Sequence, residues 1–323
     1  MKINGVFEGG GVKGIALAGG VSAAMERGYT FHEVAGTSSG AIVAAFLAAG
    51  YTGEEMKELI IRAPFKSFMQ RSPIFNTKII GPAARLLLKK GLYSGEALEH
   101  WVAKQLAAKG VRTFGDLLPN QLRIIASDIT QGKLLVLPND IAQYGMDPAK
   151  LSVAKAVRMS TSIPYFFDPV RIRHNIKSSE KTKPFSEQFV YIVDGGLLSN
   201  FPLWVFDNEM PRDKRIPVIG FQLVGKNDLQ MHDIRGPFTM LEALFSTMLS
   251  AHDERYIEQK NRFRTVKIPT LGVGNTQFNL SKELSMSLYD SGFRASNAYF
   301  KGWSASSYEE NYEKYVMRPP VKS

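Results

Sequence analysis

The sequence predicts an α/β fold of stacked layers around a central, mostly parallel sheet. Three observations carry that expectation. Segments of strand character alternate with segments of helical periodicity along the chain. The strand segments are rich in Ile, Val and Leu on both faces, as strands buried on both sides are. Near the start, two short strands each run straight into a glycine-containing turn that opens a helix.

Taken in order, residues 2–7 (KINGVF) form the first strand. A helical pattern follows over Gly14–Arg27. His32–Ala35 is a second short strand, ending at GTSSG. The next helix spans Ser39–Gly50, with Ala41, Ile42, Ala45, Phe46 and Ala49 at helical spacing. Further strands are expected at Leu122–Asp128, Leu134–Leu137, Phe189–Val193 and Pro217–Val224. Helices are expected at Gly95–Ala108, Ser152–Ser160, Thr239–Gln259 and Lys282–Trp303. Residues 176–188 (IKSSEKTKPFSEQ) are polar, charged and interrupted by proline, which reads as an exposed loop. There is no internal repeat and no dividing linker. One domain is therefore expected, with residues 1–225 as its core and 226–323 as a helical C-terminal part.

Composition bounds the function classes. At 323 residues a chain buries roughly three-quarters of its unfolded surface, so the core needs no covalent staple. The absence of cysteine excludes disulfides and thiolate metal sites. The terminus MKINGVFEGGGVKG lacks the apolar stretch of a secretory signal. No apolar run approaches the ~20 residues of a spanning helix, so a soluble, cytoplasmic protein is expected.

The net charge of +10 is unevenly spread. Between Leu59 and Gly95 stand Arg62, Lys66, Arg71, Lys78, Arg85, Lys89 and Lys90, with no acid among them. Phe65, Phe68, Ile74, Phe75 and the run Leu86-Leu87-Leu88 share that stretch. Cations interleaved with apolar residues suit contact with an anionic membrane, or form the solvated rim of a core helix. Nucleic acid is disfavoured, because no recognition motif accompanies the charge.

Two glycine motifs carry the chemistry. Gly9-Gly10-Gly11-Val12-Lys13-Gly14 lies between a strand and a helix, where exposed backbone N–H groups favour negative charge. Such a turn holds a phosphate or the oxyanion of acyl transfer, and a tight structural turn remains open as the plainer reading. Gly36-Thr37-Ser38-Ser39-Gly40 also lies between strand and helix, the setting of a nucleophile elbow. Its plainer alternative is a helix-capping serine. A dinucleotide site would want an acid about 20 residues past the first glycines, at the end of the second strand. Glu33 precedes that strand end, and the serine occupies it, so NAD binding is disfavoured. The strand Phe189–Val193 then ends in Asp194-Gly195-Gly196, delivering an acid where open α/β sheets build their sites. By itself Asp-Gly is equally a turn pair.

In this order, the glycine turn, GTSSG and DGG resemble the patatin-like phospholipase family. Residues 126–130 (ASDIT), 157–164 (VRMSTSIP) with 167–170 (FDPV), and 194–202 (DGGLLSNFP) are similar to further signature stretches of that family. The resemblance runs over residues 3–205 and continues more loosely to about 303, with Glu8 where many members carry Asp. It implies a three-layer α/β/α patatin-like fold, with residues 1–225 as the catalytic core. It also implies lipid acyl hydrolysis of the phospholipase A or lysophospholipase type. Carried over, Ser38 attacks the ester carbonyl and Asp194 takes its proton. Backbone N–H groups at Gly10 and Gly11 hold the oxyanion, and Gly9, Lys13 and Gly14 support the loop.

An α/β-hydrolase triad is the competing esterase reading, since His232 and His252 follow Asp194. Against it, Ser38 follows a single βα unit, and the glycine turn begins 29 residues ahead of it. His32, His100 and His174 show no paired spacing, and no metal motif or cofactor is indicated. The expected partners are a fatty-acyl ester and, transiently, an anionic membrane surface. A catalytically silent lipid-binding or toxin-like module of the same fold is the second functional class.

Overall fold

The computed structural model describes residues 1–69, 89–173, 188–207, 215–225, 260–274 and 280–317, with isolated positions between 234 and 277. The helix expected at 239–259 lies outside these residues apart from isolated positions, as do 176–187 of the expected loop and Arg71, Lys78 and Arg85 of the basic stretch.

Strand β1 (Lys2–Phe7) is buried along all but its first residue and lies inside a sheet that has eight strands among the described residues. It pairs in parallel with β2 (Thr30–Thr37) on one side and β9 (Val218–Val224) on the other. Two sheet strands and a separate two-stranded pair escaped the sequence reading, for a common reason: they are short. β3 (Gly91–Tyr93) and β6 (Tyr165–Phe167) form that pair. The other two are β7 (Val170–Arg173) and β10 (Thr265–Pro269), at opposite ends of the sheet. β10 pairs in parallel with β9, so the part read as helical beyond residue 225 also supplies a strand.

β4 (Leu122–Asp128), buried at every residue, organises the other half of the sheet. β5 (Lys133–Leu137) runs antiparallel along one edge of β4, from Ile124 to Asp128. The opposite edge is shared end to end. β2 pairs in parallel with Leu122–Ile125, and β8 (Phe189–Asp194) takes over antiparallel at Ala126–Asp128. The sequence places Asp194 at the carboxyl end of a buried strand and leaves that strand's direction open. β8 runs against β4, so its last residue meets the last residues of β2 head to head. Thr37 is level with Ile125, and Asp194 with the next residue, Ala126.

Among the described residues the α-helices are α1 (Gly14–Glu26), α2 (Ser39–Ala48), α3 (Gly53–Ile61), the turn α4 (Phe65–Phe68), α5 (Glu96–Ala108), α6 (Val153–Ser160), α7 (Lys282–Lys301) and α8 (Ala305–Tyr312). The larger core joins the sheet to α1, α2 and α6 on one face. The smaller core covers the other face with Phe201, Leu203, Val205 and Phe206 against Val6, Ala35, Ile125 and Val218.

From Gly14 to Ala24 every residue of α1 is buried, which its all-apolar or small sequence permits. α7 crosses α1 so closely that a Cβ on Gly292 would lie 1.8 Å from the Ala16 carbonyl oxygen. Backbone cannot yield as a side-chain tip can, so Gly292→Ala is expected to force the helices apart. The expected loss is about 1–3 kcal/mol in denaturant unfolding, the usual scale of core overpacking. A variant as stable as the parent would show that the crossing adjusts without cost.

Candidate active site

The elbow begins where β2 ends. Ser38 has φ 54° and ψ −124°, a conformation costly for any residue with a Cβ. The neighbouring glycines explain how the chain fits. A Cβ on Gly36 would lie 2.3 Å from the Gly40 carbonyl oxygen, and one on Gly40 would lie 2.2 Å from that of Phe7. The turn is therefore packed against both its own helix and the end of β1.

The capping alternative does not describe Ser38, whose side chain makes no cap bond. Its hydroxyl donates to Asp194 Oδ2 at 2.7 Å. Both residues are buried, Asp194 to 1% exposure. The second carboxylate oxygen of Asp194 accepts the Gly196 N–H at 2.8 Å. Burial disfavours the charged carboxylate and pushes its pKa up to about 7, against the opposing pull of the Gly196 and Ser38 hydrogen bonds.

Two serines at the end of α6 and just beyond it, Ser160 and Ser162, had no role assigned from sequence. Ser160 accepts the Ser38 N–H at 2.8 Å and donates to the Ile125 carbonyl at 2.6 Å. The Ser162 carbonyl accepts the Asp194 N–H at 2.9 Å. One short segment thus holds the backbone of both partners. Arg158 anchors it from within, donating to the Ser162 hydroxyl and to the carbonyls of Ser94 and Asp168. Its burial lowers the guanidinium pKa to about 10, which leaves it a cation at neutral pH. A serine at the end of a helix reads from sequence as an ordinary terminus; the one signal was its place in the VRMSTSIP stretch.

The glycine turn lies across from the elbow. The Gly9 N–H donates to the Asn200 carbonyl at 3.1 Å, and the Asn200 amide returns a bond to the Gly9 carbonyl at 3.3 Å. The Gly10 N–H donates to the Ser39 hydroxyl oxygen at 3.0 Å. Gly11 has φ 58°, and no acceptor for its N–H is found among the described residues. Lys13 closes the turn through its N–H to the Gly10 carbonyl at 3.2 Å, and Gly14 packs against Ser39. Of the two amides singled out from sequence, one is thus already committed within the protein and the other is not.

An apolar pocket opens beside Ser38, enclosing about 670 Å³ with the solvent at its mouth included. Ile42, Ile60, Phe68, Leu98, Trp101 and Phe167 are among the residues that line it. That size and lining suit a hydrocarbon chain. His100 is exposed and bonds the Glu96 carbonyl on its own helix. His32 sits on β2 in a small pocket of mixed lining, with Asn4, Asp207, Arg215 and Phe206. Neither reaches Ser38 or Asp194, and His174, His232 and His252 lie outside the described residues. Among the described residues, no group of three or more His, Asp or Glu could hold a metal ion, and no helix is long and apolar enough to cross a membrane.

The family model described as patatin-like phospholipase matches residues 5–207. The uncharacterized protein YqhO of Bacillus subtilis (strain 168) is 41% identical over 305 residues, covering 94% of this chain and all of the relative. The probable lipid hydrolase 463L of Invertebrate iridescent virus 6 is 22% identical over 204 residues, 61% of each chain. Among solved structures, VipD from Legionella pneumophila superposes with a TM-score of 0.51 at 17% identity. The match covers 93% of this chain and 66% of VipD, so the chain spans just under two-thirds of that protein and shares its fold.

Proposed function

The chain belongs to the patatin-like phospholipase family, and on that premise we propose that it is a serine lipid acyl hydrolase acting through Ser38 and Asp194. The substrate class is a fatty-acyl ester of a phospholipid or lysophospholipid. The observation that carries this reading is the 2.7 Å bond from the Ser38 hydroxyl to a fully buried carboxylate, at the wall of an apolar pocket.

In the first step the Ser38 oxygen bonds the ester carbonyl carbon while its proton passes to Asp194. The carbonyl electron pair moves onto oxygen, which the glycine turn receives. Collapse breaks the carbon–oxygen bond to the lipid alcohol, which leaves with the proton held by Asp194. Water then attacks the acyl-Ser38 with Asp194 again as base, releasing the fatty acid and restoring Ser38. The acyl chain occupies the apolar pocket throughout.

Access to such substrates calls for transient contact with an anionic membrane surface. The net charge of +10, the basic-apolar stretch and the exposed Lys89 and Lys90 support it. Exposed Ile129 and Leu271 follow β4 and β10, at the edge of the sheet where the elbow lies. The protein would act in the cytoplasm or on the membrane facing it.

The test is mass spectrometry of lipids released from mixed vesicles, anionic and neutral, with and without chelator. Free fatty acid and the matching deacylated lipid are expected, faster from anionic vesicles and unaffected by EDTA. Release of head groups, or no lipid product at all from a folded preparation, would set this reading aside; the latter leaves the silent lipid-binding module.

A further inference from the structure

We propose that Ser39, the residue after the nucleophile, is a further catalytic residue whose hydroxyl donates to the oxyanion, with the Gly10 amide acting through it. The proposal rests on the acyl-hydrolase reading above. Three observations lead to it.

First, Ser39 Oγ accepts the Gly10 N–H at 3.0 Å, so one of the turn's amides already points its proton at a protein oxygen. Second, that hydroxyl is an acceptor whose own proton has no acceptor among the described residues, although Ser39 is only 5% exposed. Third, Ser39 lines the same apolar pocket as Ser38 and Gly11. The other side-chain hydroxyls of that pocket are spoken for. Ser38 donates to Asp194, and Thr161 donates to the carbonyls of Val157 and Arg158.

A buried polar proton without a partner is costly, and natural structures keep such groups rare. Here the missing acceptor is supplied by the reaction. When the ester carbonyl takes up the electron pair, a negative oxygen develops beside Ser38, in a pocket whose lining offers few other donors. The Ser39 proton and the Gly11 N–H belong to residues that line the pocket, and neither has an acceptor among the described residues. The Gly10 N–H bond polarises the Ser39 hydroxyl further, since a hydroxyl that accepts is a stronger donor. The packing of Gly14 against Ser39, 3.0 Å from the site of a Gly14 Cβ to the Ser39 Cβ, fixes the side chain in this pose. Donors held in place before the charge develops need not reorganise, and this is where their effect on rate comes from.

The experiment compares Ser39→Ala and Ser39→Thr with the parent. It measures kcat and KM on a soluble fatty-acyl ester and on its thionoester, together with fluorophosphonate labelling rate and melting temperature. Ser39→Ala is expected to fold normally and keep KM within a few-fold. Its kcat on the oxygen ester and its labelling rate should fall roughly 10²–10³-fold, as loss of one oxyanion donor does. The thionoester, whose sulfur is a poor acceptor, should lose much less. Ser39→Thr keeps the hydroxyl and should recover most of the rate. An unchanged kcat in Ser39→Ala overturns the proposal. So does an equal loss on both esters with a lowered melting temperature, which would make Ser39 only a prop for the turn. Ser38→Ala in the same assays separates the two readings. If Ser38→Ala stays active, the hydrolase assignment to Ser38 falls; if it is silent while Ser39→Ala is fully active, only the role of Ser39 falls.

Discussion

Ser38→Ala is expected to abolish labelling by a fluorophosphonate probe and to lower turnover by roughly 10⁴- to 10⁶-fold, the scale on which nucleophile losses register. The expectation follows from position and not from composition alone. Ser38 combines a strained backbone, a hydrogen bond to a buried carboxylate and a place in the apolar pocket. Its neighbours are differently employed. Ser160 is bonded on both sides by the backbone of Ser38 and Ile125, and Ser39 accepts from Gly10. The substitution should not unfold the protein, because Ala keeps the Cβ and the backbone bonds of the elbow and loses one hydroxyl. Intact-protein mass spectrometry after labelling reads the result directly. A full-size adduct on Ser38→Ala would move the nucleophile elsewhere and remove the basis of the mechanism.

The larger elements were legible because each had a long, regular signal. The run of small and apolar residues over Gly14–Glu26 is a helix buried along almost its whole length, and Leu122–Asp128 is a strand buried at every residue. What escaped was short or marginal. β7 reads VRIR, an alternating four-residue edge strand with charged residues facing out, and β10 is five residues ending in proline. Strand direction was also invisible. A hydrophobic six-residue strand reads the same in either sense, so nothing in Phe189–Asp194 told that β8 runs against β4. That direction is what brings two strand ends together on one edge of β4.

The same division holds at the site. Gly36, Ser38, Gly40 and Asp194 belong to motifs whose spacing is set by backbone crowding, which sequence displays. Ser160 meets Ser38 across 122 residues, and Ser39 meets Gly10 across 29. Ser162 meets Asp194 across a comparable gap in the chain. Contacts of that kind depend on tertiary approach, which sequence does not display.

Asp194→Asn should lower kcat by roughly 10⁴-fold while stabilising the fold at alkaline pH, two effects with one cause. Asp194 is buried, and that burial raises its pKa to about 7 from an ordinary value of 3.8. The proposed role as base requires it to be ionised, so the parent's kcat/KM should rise with pH, pass half-maximum near pH 7, and fall about tenfold for each pH unit below. The stability effect has the opposite sign. Below the unfolded-state pKa both states hold the proton, and the buried carboxyl is not penalised. As pH rises from about 4 to about 7 the unfolded chain releases its proton before the native state does, so stability is lost progressively and levels off above the native pKa. The native and unfolded pKa values lie about three apart, which bounds the loss at about 4 kcal/mol. Asparagine carries no such titration. The stability advantage of Asp194→Asn over the parent should therefore grow between about pH 4 and about pH 8 in denaturant unfolding. A histidine base would also place a rate limb near ~6.5, so the limb alone does not identify its owner. Single replacement of His32, His100, His174, His232 and His252 by Ala should leave the limb in place in every folded variant. If one of those replacements removes activity, or if the stability gap does not widen with pH, the carboxylate is not the base that the 2.7 Å bond to Ser38 argues for.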